Sequence, residues 1–144
     1  MTITLPCIPP KTSHHAKRIV RVGGFSRLAD KPELEDAKAT LDALLLEHRI
    51  PAPIGGDGPV VVDIQLTWPW LTGDAKKVRA LGRIPHDTKP DWDNAAKTLC
   101  DRLVKLRFLS QDSRIVDGRV RKWRGDAPGI VITIRPWAQE DAAA

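Results

Sequence analysis

The segment from Lys89 to Asp117, KPDWDNAAKTLCDRLVKLRFLSQDSRIVD, restricts the possible folds of this chain more than any other stretch. Trp92, Ala96, Leu99, Leu103 and Leu106 recur by fours and threes, which predicts one buried stripe on a helix from about Asp93 to Leu106. Asp93, Lys97, Asp101 and Lys105 step by four along a different side. A helix divided in this way has to lie on an apolar layer and keep its charged side in water. Pro59–Trp68 can supply that layer, because Val60, Val62, Ile64 and Leu66 alternate with their neighbours as in a strand with one buried face.

The remaining pattern completes a small domain. Ile3–Ile8 reads as a short strand stopped by Pro9-Pro10. Residues 11–31, with Lys11, His14, His15, Lys17 and Arg18, are expected to form an exposed basic loop, with room for a short strand at Ile19–Val22. Pro32 suits the first turn of a second helix, and Leu34, Ala37, Leu41, Leu44 and Leu45 give it an apolar stripe over roughly 33–48. Pro51, Pro53 and Gly55-Gly56 end it. Residues 69–90, charged and poor in apolar residues, are expected to be a long loop. Ile115–Trp123 and Ile130–Arg135 read as two final strands around a Gly125–Gly129 turn, and residues of about 138–144 as a frayed tail. The expectation is a single α/β domain over 1–144, a mixed β-sheet with two main helices in βαβαββ order.

With 42% hydrophobic and 28% charged residues the chain is composed to fold. Cys7 and Cys100, the two cysteines, lack metal-site spacing and read as buried thiols of a reducing compartment. The N-terminus lacks a signal-peptide pattern and no apolar run is long enough to span a bilayer, so the expected location is cytoplasmic, with no membrane partner. The net charge of +5 favours an anionic partner, and its placement adds to this. Lys76, Lys77, Arg79, Arg83 and Lys89 precede the acidic segment, while Arg114, Arg119, Arg121, Lys122 and Arg124 follow it. Of these, Lys76, Lys77, Arg79, Arg83, Lys89, Arg119, Arg121 and Lys122 are the candidate phosphate contacts.

Asp91 and Asp93 stand two apart where the helix begins, and Asp112 returns after it. Carboxylates converging from separate elements, with Lys97 beside them, suit a magnesium ion and a phosphate. A plainer account competes: aspartates cap helix N-termini, and Asp93, Lys97 and Asp101 could be surface pairs four residues apart. The residues alone leave both accounts open. His14 and His15 read as surface or phosphate-contact residues before general bases, Trp68 and Trp92 as core, and Trp70 as a loop anchor before a base-stacking platform. A PD-(D/E)xK site is disfavoured, because Asp117-Gly118-Arg119 lacks the lysine it needs.

The run Asp91-Trp92-Asp93-Asn94, Lys97, Asp101 and Gln111-Asp112-Ser113-Arg114-Ile115-Val116, preceded by Leu5-Pro6 and Pro9-Pro10, resembles the RusA family of Holliday junction resolvases, many of them phage-encoded. Gln111 stands where members often carry a second acid and Arg114 where glutamine is usual, while Lys11-Thr12-Ser13 lacks a common asparagine; the three carboxylates are intact. The resemblance implies that Asp91, Asp93 and Asp112 bind Mg2+, which Mn2+ can replace, and that Lys97 is the cation on the phosphate side. Asn94 and Asp101 would stand behind them, holding the ligands or the lysine. It also implies a homodimer that cuts branched DNA at four-way junctions by paired nicks with 5′-phosphate ends, in the host cytoplasm if phage-encoded. The two-fold symmetry of a junction agrees with a dimer. Two alternatives remain, a non-catalytic branched-DNA-binding module and an interaction protein with a basic surface.

Overall fold

Prolines and glycines divide the chain into the elements of a computed structural model, which describes residues 1–11 and 17–143. Strand β1 (Thr2–Leu5) stops at Pro6. Strands β2 (Lys17–Val22) and β3 (Phe25–Asp30) are joined by Gly23-Gly24, whose φ angles of 57° and 83° suit a tight hairpin turn. Helix α1 (Pro32–Leu46) starts on its proline. Then come β4 (Val60–Pro69), the short helix α2 (Lys76–Arg79), β5 (Arg83–Pro85) and α3 (Trp92–Lys105). A 3-10 turn at Asp112–Arg114 leads into β6 (Ile115–Gly125), which is followed by β7 (Gly129–Pro136).

The main sheet runs β1-β7-β4-β6-β5. At its centre β4 is parallel to β6 and antiparallel to β7, with Ile64 opposite Val120 on one side and Ile132 on the other. Edge strands β1 and β5 pair antiparallel with β7 and β6. This is the expected mixed sheet with two main helices. Val60, Val62, Ile64, Leu66 and Trp68 of β4, with Ile130, Ile132 and Ile134 of β7 and Ile3 and Leu5 of β1, face Leu41 and Leu45 of α1 and Leu99 and Leu103 of α3. Asp42 ties the helices together, accepting from Lys105 at 2.7 Å and from Arg102 at 3.5 Å. Neither α1 nor α3 covers the other face of the sheet, which presents Asp63, Gln65, Arg119, Arg121 and Arg135. Leu103 is fully buried between helix and sheet. Leu103→Ala is expected to cost about 2–5 kcal/mol, read as a lower urea midpoint with an unchanged slope.

Four expectations need correction. Residues 17–30 are an antiparallel ribbon, β2 paired to β3 from Lys17↔Asp30 to Val22↔Phe25, where a loop was expected. The long connection after β4 contains α2 and β5; β5 is held by pairing of Arg83–Pro85 with Trp123–Gly125, which no local pattern of three residues can announce. The tail turns into a 3-10 segment, Gln139–Ala143, because Asp141 accepts from Arg135 at 2.7 Å and from the Ala138 amide at 2.8 Å. That arginine and the amide pull the Asp141 carboxyl down to about 2. Finally, Trp92 is 53% exposed and does not belong to the core. It occupies the first turn of α3 and reaches across to β6, donating its indole N–H to the Val120 carbonyl at 3.1 Å.

Candidate active site

The chain reaches α3 through a segment fixed from behind. The His86 amide donates to the Lys122 carbonyl at 3.0 Å, continuing the β5–β6 pairing. The His86 ring stacks on Trp68 with centroids 4.6 Å apart, and its Nε2 donates to the Lys89 carbonyl at 3.1 Å. Burial pushes the His86 pKa down, favouring the neutral ring. Lys122 then points its ammonium at the same segment, donating to the Thr88 and Pro90 carbonyls at 2.6 Å each. Asp91 follows Pro90 directly, so its backbone position is set by contacts from β6.

Asp91 is the N-cap residue of α3, with φ −62° and ψ 152°, yet its side chain makes no capping hydrogen bond. Its carbonyl accepts from the Ala95 amide at 3.1 Å, leaving the carboxylate outside the helix ladder. Asp93, in the first turn, is exposed. Among the described residues neither carboxylate has an ion-pair partner and Asp91 makes no side-chain cap, while Asp93 stands in the first turn, where an acid also suits the helix dipole.

Lys97, one turn along, is the shared partner of two other acids. Its Nζ lies 3.2 Å from Asp101 and 3.3 Å from Asp112. Hydrogen bonds to Asp101 and then to Asp112 push the Lys97 pKa up, keeping the ammonium charged. Asp112 arrives there because the chain turns back after α3. Arg107 takes a left-handed φ of 65°, the Phe108 amide donates to the Leu103 carbonyl at 2.8 Å, and Phe108 and Leu109 are buried. The 3-10 turn then sets Asp112 against the polar side of α3.

Asn94 is half-buried and lines, with Ala95 and Thr98, a small cleft whose other wall is Pro9 and Pro10. The proline pair is fixed by the Trp68 indole, which donates to the Pro9 carbonyl at 2.9 Å. The opening residues of the chain thus pack beside the first turn of α3.

Asp91, Asp93 and Asp112 are exposed carboxylates, a ligand type that suits a hard ion such as magnesium better than zinc. Among the described residues no three His, Cys, Asp or Glu side chains gather closely enough to hold an ion. What the structure brings together is Lys97, Asp101 and Asp112, with Asp93 one helical turn from the lysine.

The basic candidates separate into groups. Lys76, Lys77 and Lys89 are exposed, without an ion pair among the described residues. Arg79 braces its own loop, donating to the Leu71 and Asp74 carbonyls at 2.8 and 3.1 Å. Arg83 lies over the Trp123 ring at 4.6 Å. Arg119 pairs with Asp117 at 3.3 Å, and Arg121 with Asp63 at 2.5 Å, on the sheet face away from the helices. Lys122 alternates to the opposite face, where the carbonyls of the segment before Asp91 occupy it. Trp70 is a loop anchor, donating to Asp126 at 2.7 Å. His14 and His15 lie outside the described residues. Cys7 and Cys100 are free and half-buried, and burial pushes the Cys100 thiol up to about 11. No helix among the described residues is long and apolar enough to cross a membrane.

The sequence reading passed over Lys122 as a brace and His86 altogether. The signal for both is tertiary: it exists only once β6 lies beside residues 86–90.

A one-sided mixed sheet, covered by two helices and presenting carboxylates where one of them begins, defines this chain as a single-domain α/β protein. Residues 8–135 match the family model for Endodeoxyribonuclease RusA, and the chain belongs to the RusA family. Family membership implies an enzyme of the nuclease type, and it suggests divalent-metal use and binding of DNA junctions. No curated protein matches the chain.

Proposed function

We propose that this protein is a magnesium-dependent, structure-selective endodeoxyribonuclease that resolves four-way DNA junctions by paired symmetric nicks, acting in recombination and repair. The observation that carries the reading is Lys97 held between Asp101 and Asp112 on the charged side of α3, one turn from Asp93, within a chain of the RusA family. Asp91, Asp93 and Asp112 are the residues that would hold magnesium or manganese; the bound ion supplies Lewis-acid polarisation of the phosphate and a water of lowered pKa. Lys97 keeps a positive charge beside the phosphate, where negative charge grows on the non-bridging oxygens during attack. Asp101 restrains the lysine, and Asn94, across a small cleft from the N-terminal prolines, stands in the turn carrying Asp93. Lys76, Lys77 and Lys89, exposed and without an ion pair among the described residues, would meet phosphates. A homodimer with one site per subunit matches the two-fold symmetry of a junction.

The decisive experiment incubates the protein with a labelled four-way junction, linear duplex and flap DNA, with and without magnesium. Paired, ligatable nicks confined to the junction are expected. Binding without cutting under every metal condition would identify a non-catalytic module, and no DNA binding would leave only a protein-interaction role.

Lys122 gives a more local test. Lys122→Met keeps much of the side-chain volume but removes both hydrogen bonds to the segment before Asp91. A shift of about 1 Å in a reacting group can cost on the order of 10²-fold in rate. Single-turnover cleavage is expected to fall towards that extent, with the log–log salt slope of junction binding unchanged. A slope lower by about one would make Lys122 a phosphate contact instead.

A further inference from the structure

The ribbon β2–β3 is the part of the structure that the carboxylate site leaves unexplained. Among the described residues it pairs with no other strand, and a lone two-stranded ribbon is only marginally stable in water. Alternation puts Ile19, Arg21 and Leu28 on one face and Arg18, Val20, Phe25 and Arg27 on the other. Both faces are open: Ile19 is 73% exposed, Leu28 72% and Phe25 81%. A ribbon docked on its own domain would bury one of these faces, and this one buries neither.

Charge identifies what it meets. Asp30 is the one acid in the two strands, and it is already bound by Lys17 and Lys38. Arg18, Arg21 and Arg27 have no carboxylate partner among the described residues. Two copies of such a surface would repel each other, whereas a polyanion would be drawn to both faces.

Position supplies the second argument. Pro9 and Pro10 line one cleft with Leu41 of α1 and with Asn94, Ala95 and Thr98 of α3, the helix whose first turn carries Asp93. The ribbon ends at Asp30, fixed by Lys38 of α1 at 2.6 Å, one turn before Leu41. The ribbon is therefore rooted on the side of the domain where the candidate metal ligands lie.

We propose that β2–β3 is a DNA-binding arm that enters the groove of one duplex arm of the substrate next to the cut, a role that rests on the nuclease reading above. A B-DNA major groove, about 12 Å wide, admits a two-stranded ribbon. Arg18, Arg21 and Arg27 reach backbone phosphates on either side, and the exposed Ile19, Leu28 and Phe25 side chains lose water against sugars and base edges.

The test uses the full chain and a labelled synthetic four-way junction without divalent metal, so that binding is read without cutting. Arg18→Ala/Arg21→Ala/Arg27→Ala is expected to lower the log–log salt slope by about three and to weaken binding at least about tenfold at low salt. Phe25→Ser should weaken binding with the slope unchanged, while Arg49→Ala, in the connection after α1, should change neither. An unaltered slope in the triple variant, with the parent binding in the usual salt-dependent way, overturns the arm and leaves the nuclease reading standing. A parent that binds no junction overturns both. Conversion of a dimer to a monomer by Ile19→Ser/Leu28→Ser in sedimentation, with the DNA slope retained, would make the ribbon a subunit contact and overturn the proposal.

Discussion

Asp93→Asn is expected to lower magnesium-dependent junction cleavage by at least about three orders of magnitude while the protein stays folded and still binds the junction. The size of the effect follows from charge. Asparagine keeps the shape of the side chain, but a neutral amide oxygen is a far weaker ligand for a hard divalent ion than a carboxylate. Without the ion the attacking water keeps an ordinary pKa, and the phosphate loses its Lewis acid. Folding should be spared, because Asp93 is exposed and has no ion pair among the described residues. Junction binding should hold or tighten, since one negative charge facing the phosphates has gone. Asp91→Asn and Asp112→Asn should behave alike with respect to magnesium. Asp112→Asn should in addition release Lys97 from one of its two partners. Cleavage within about tenfold of the parent by any of the three variants, at saturating magnesium, would remove that residue from the ligand set.

The parts of this fold that could be read in advance are those governed by a single period. The alternation of Val60, Val62, Ile64 and Leu66 and the stripe of Leu34, Leu41 and Leu45 both end in the core as their spacing requires. The ribbon was missed for a physical reason. In KRIVRV and FSRLAD, cations and apolar residues fall on both faces, because neither face is buried, so burial imposes no alternation. Trp92 shows the limit of helical spacing. The spacing sets the angle around α3, but at the first turn the side chain lies across β6, its indole N–H bonded to the Val120 carbonyl and about half of the residue, 53%, exposed.

The candidate site could be read from the sequence only as a set of residue types. Asp91, Asp93, Lys97, Asp101 and Asp112 announce themselves by charge and spacing, and the contact between Lys97 and Asp112 agrees with that grouping. The basic residues were less legible, because a count of positive charges does not tell which are already engaged. Arg121 is committed to Asp63, Arg79 to its own loop and Lys122 to backbone carbonyls. Pairing of that kind depends on which strand lies beside which, and the parallel crossover from β4 to β6 sets it over some fifty residues of chain.

Lys97→Ala should separate the two roles open to this lysine. As an exposed partner of Asp101 and Asp112 it would contribute well under ~1 kcal/mol, since water and salt screen such pairs. Cleavage would then be normal and only stability would shift slightly. As the cation beside the reacting phosphate, its loss should cost about 10²–10³ in single-turnover rate, with little change in junction affinity. One feature favours the larger effect: the ammonium is shared by acids on two elements, Asp101 of α3 and Asp112 of the turn before β6. Lys97→Arg should recover only part of the rate. The guanidinium is flat and broad, so keeping both hydrogen bonds to Asp101 and Asp112 would move the centre of charge away from the place the ammonium occupies. Full recovery by arginine would show that charge alone is needed there. Normal single-turnover cleavage and unchanged magnesium dependence in Lys97→Ala would return the residue to an ordinary place on the surface of α3.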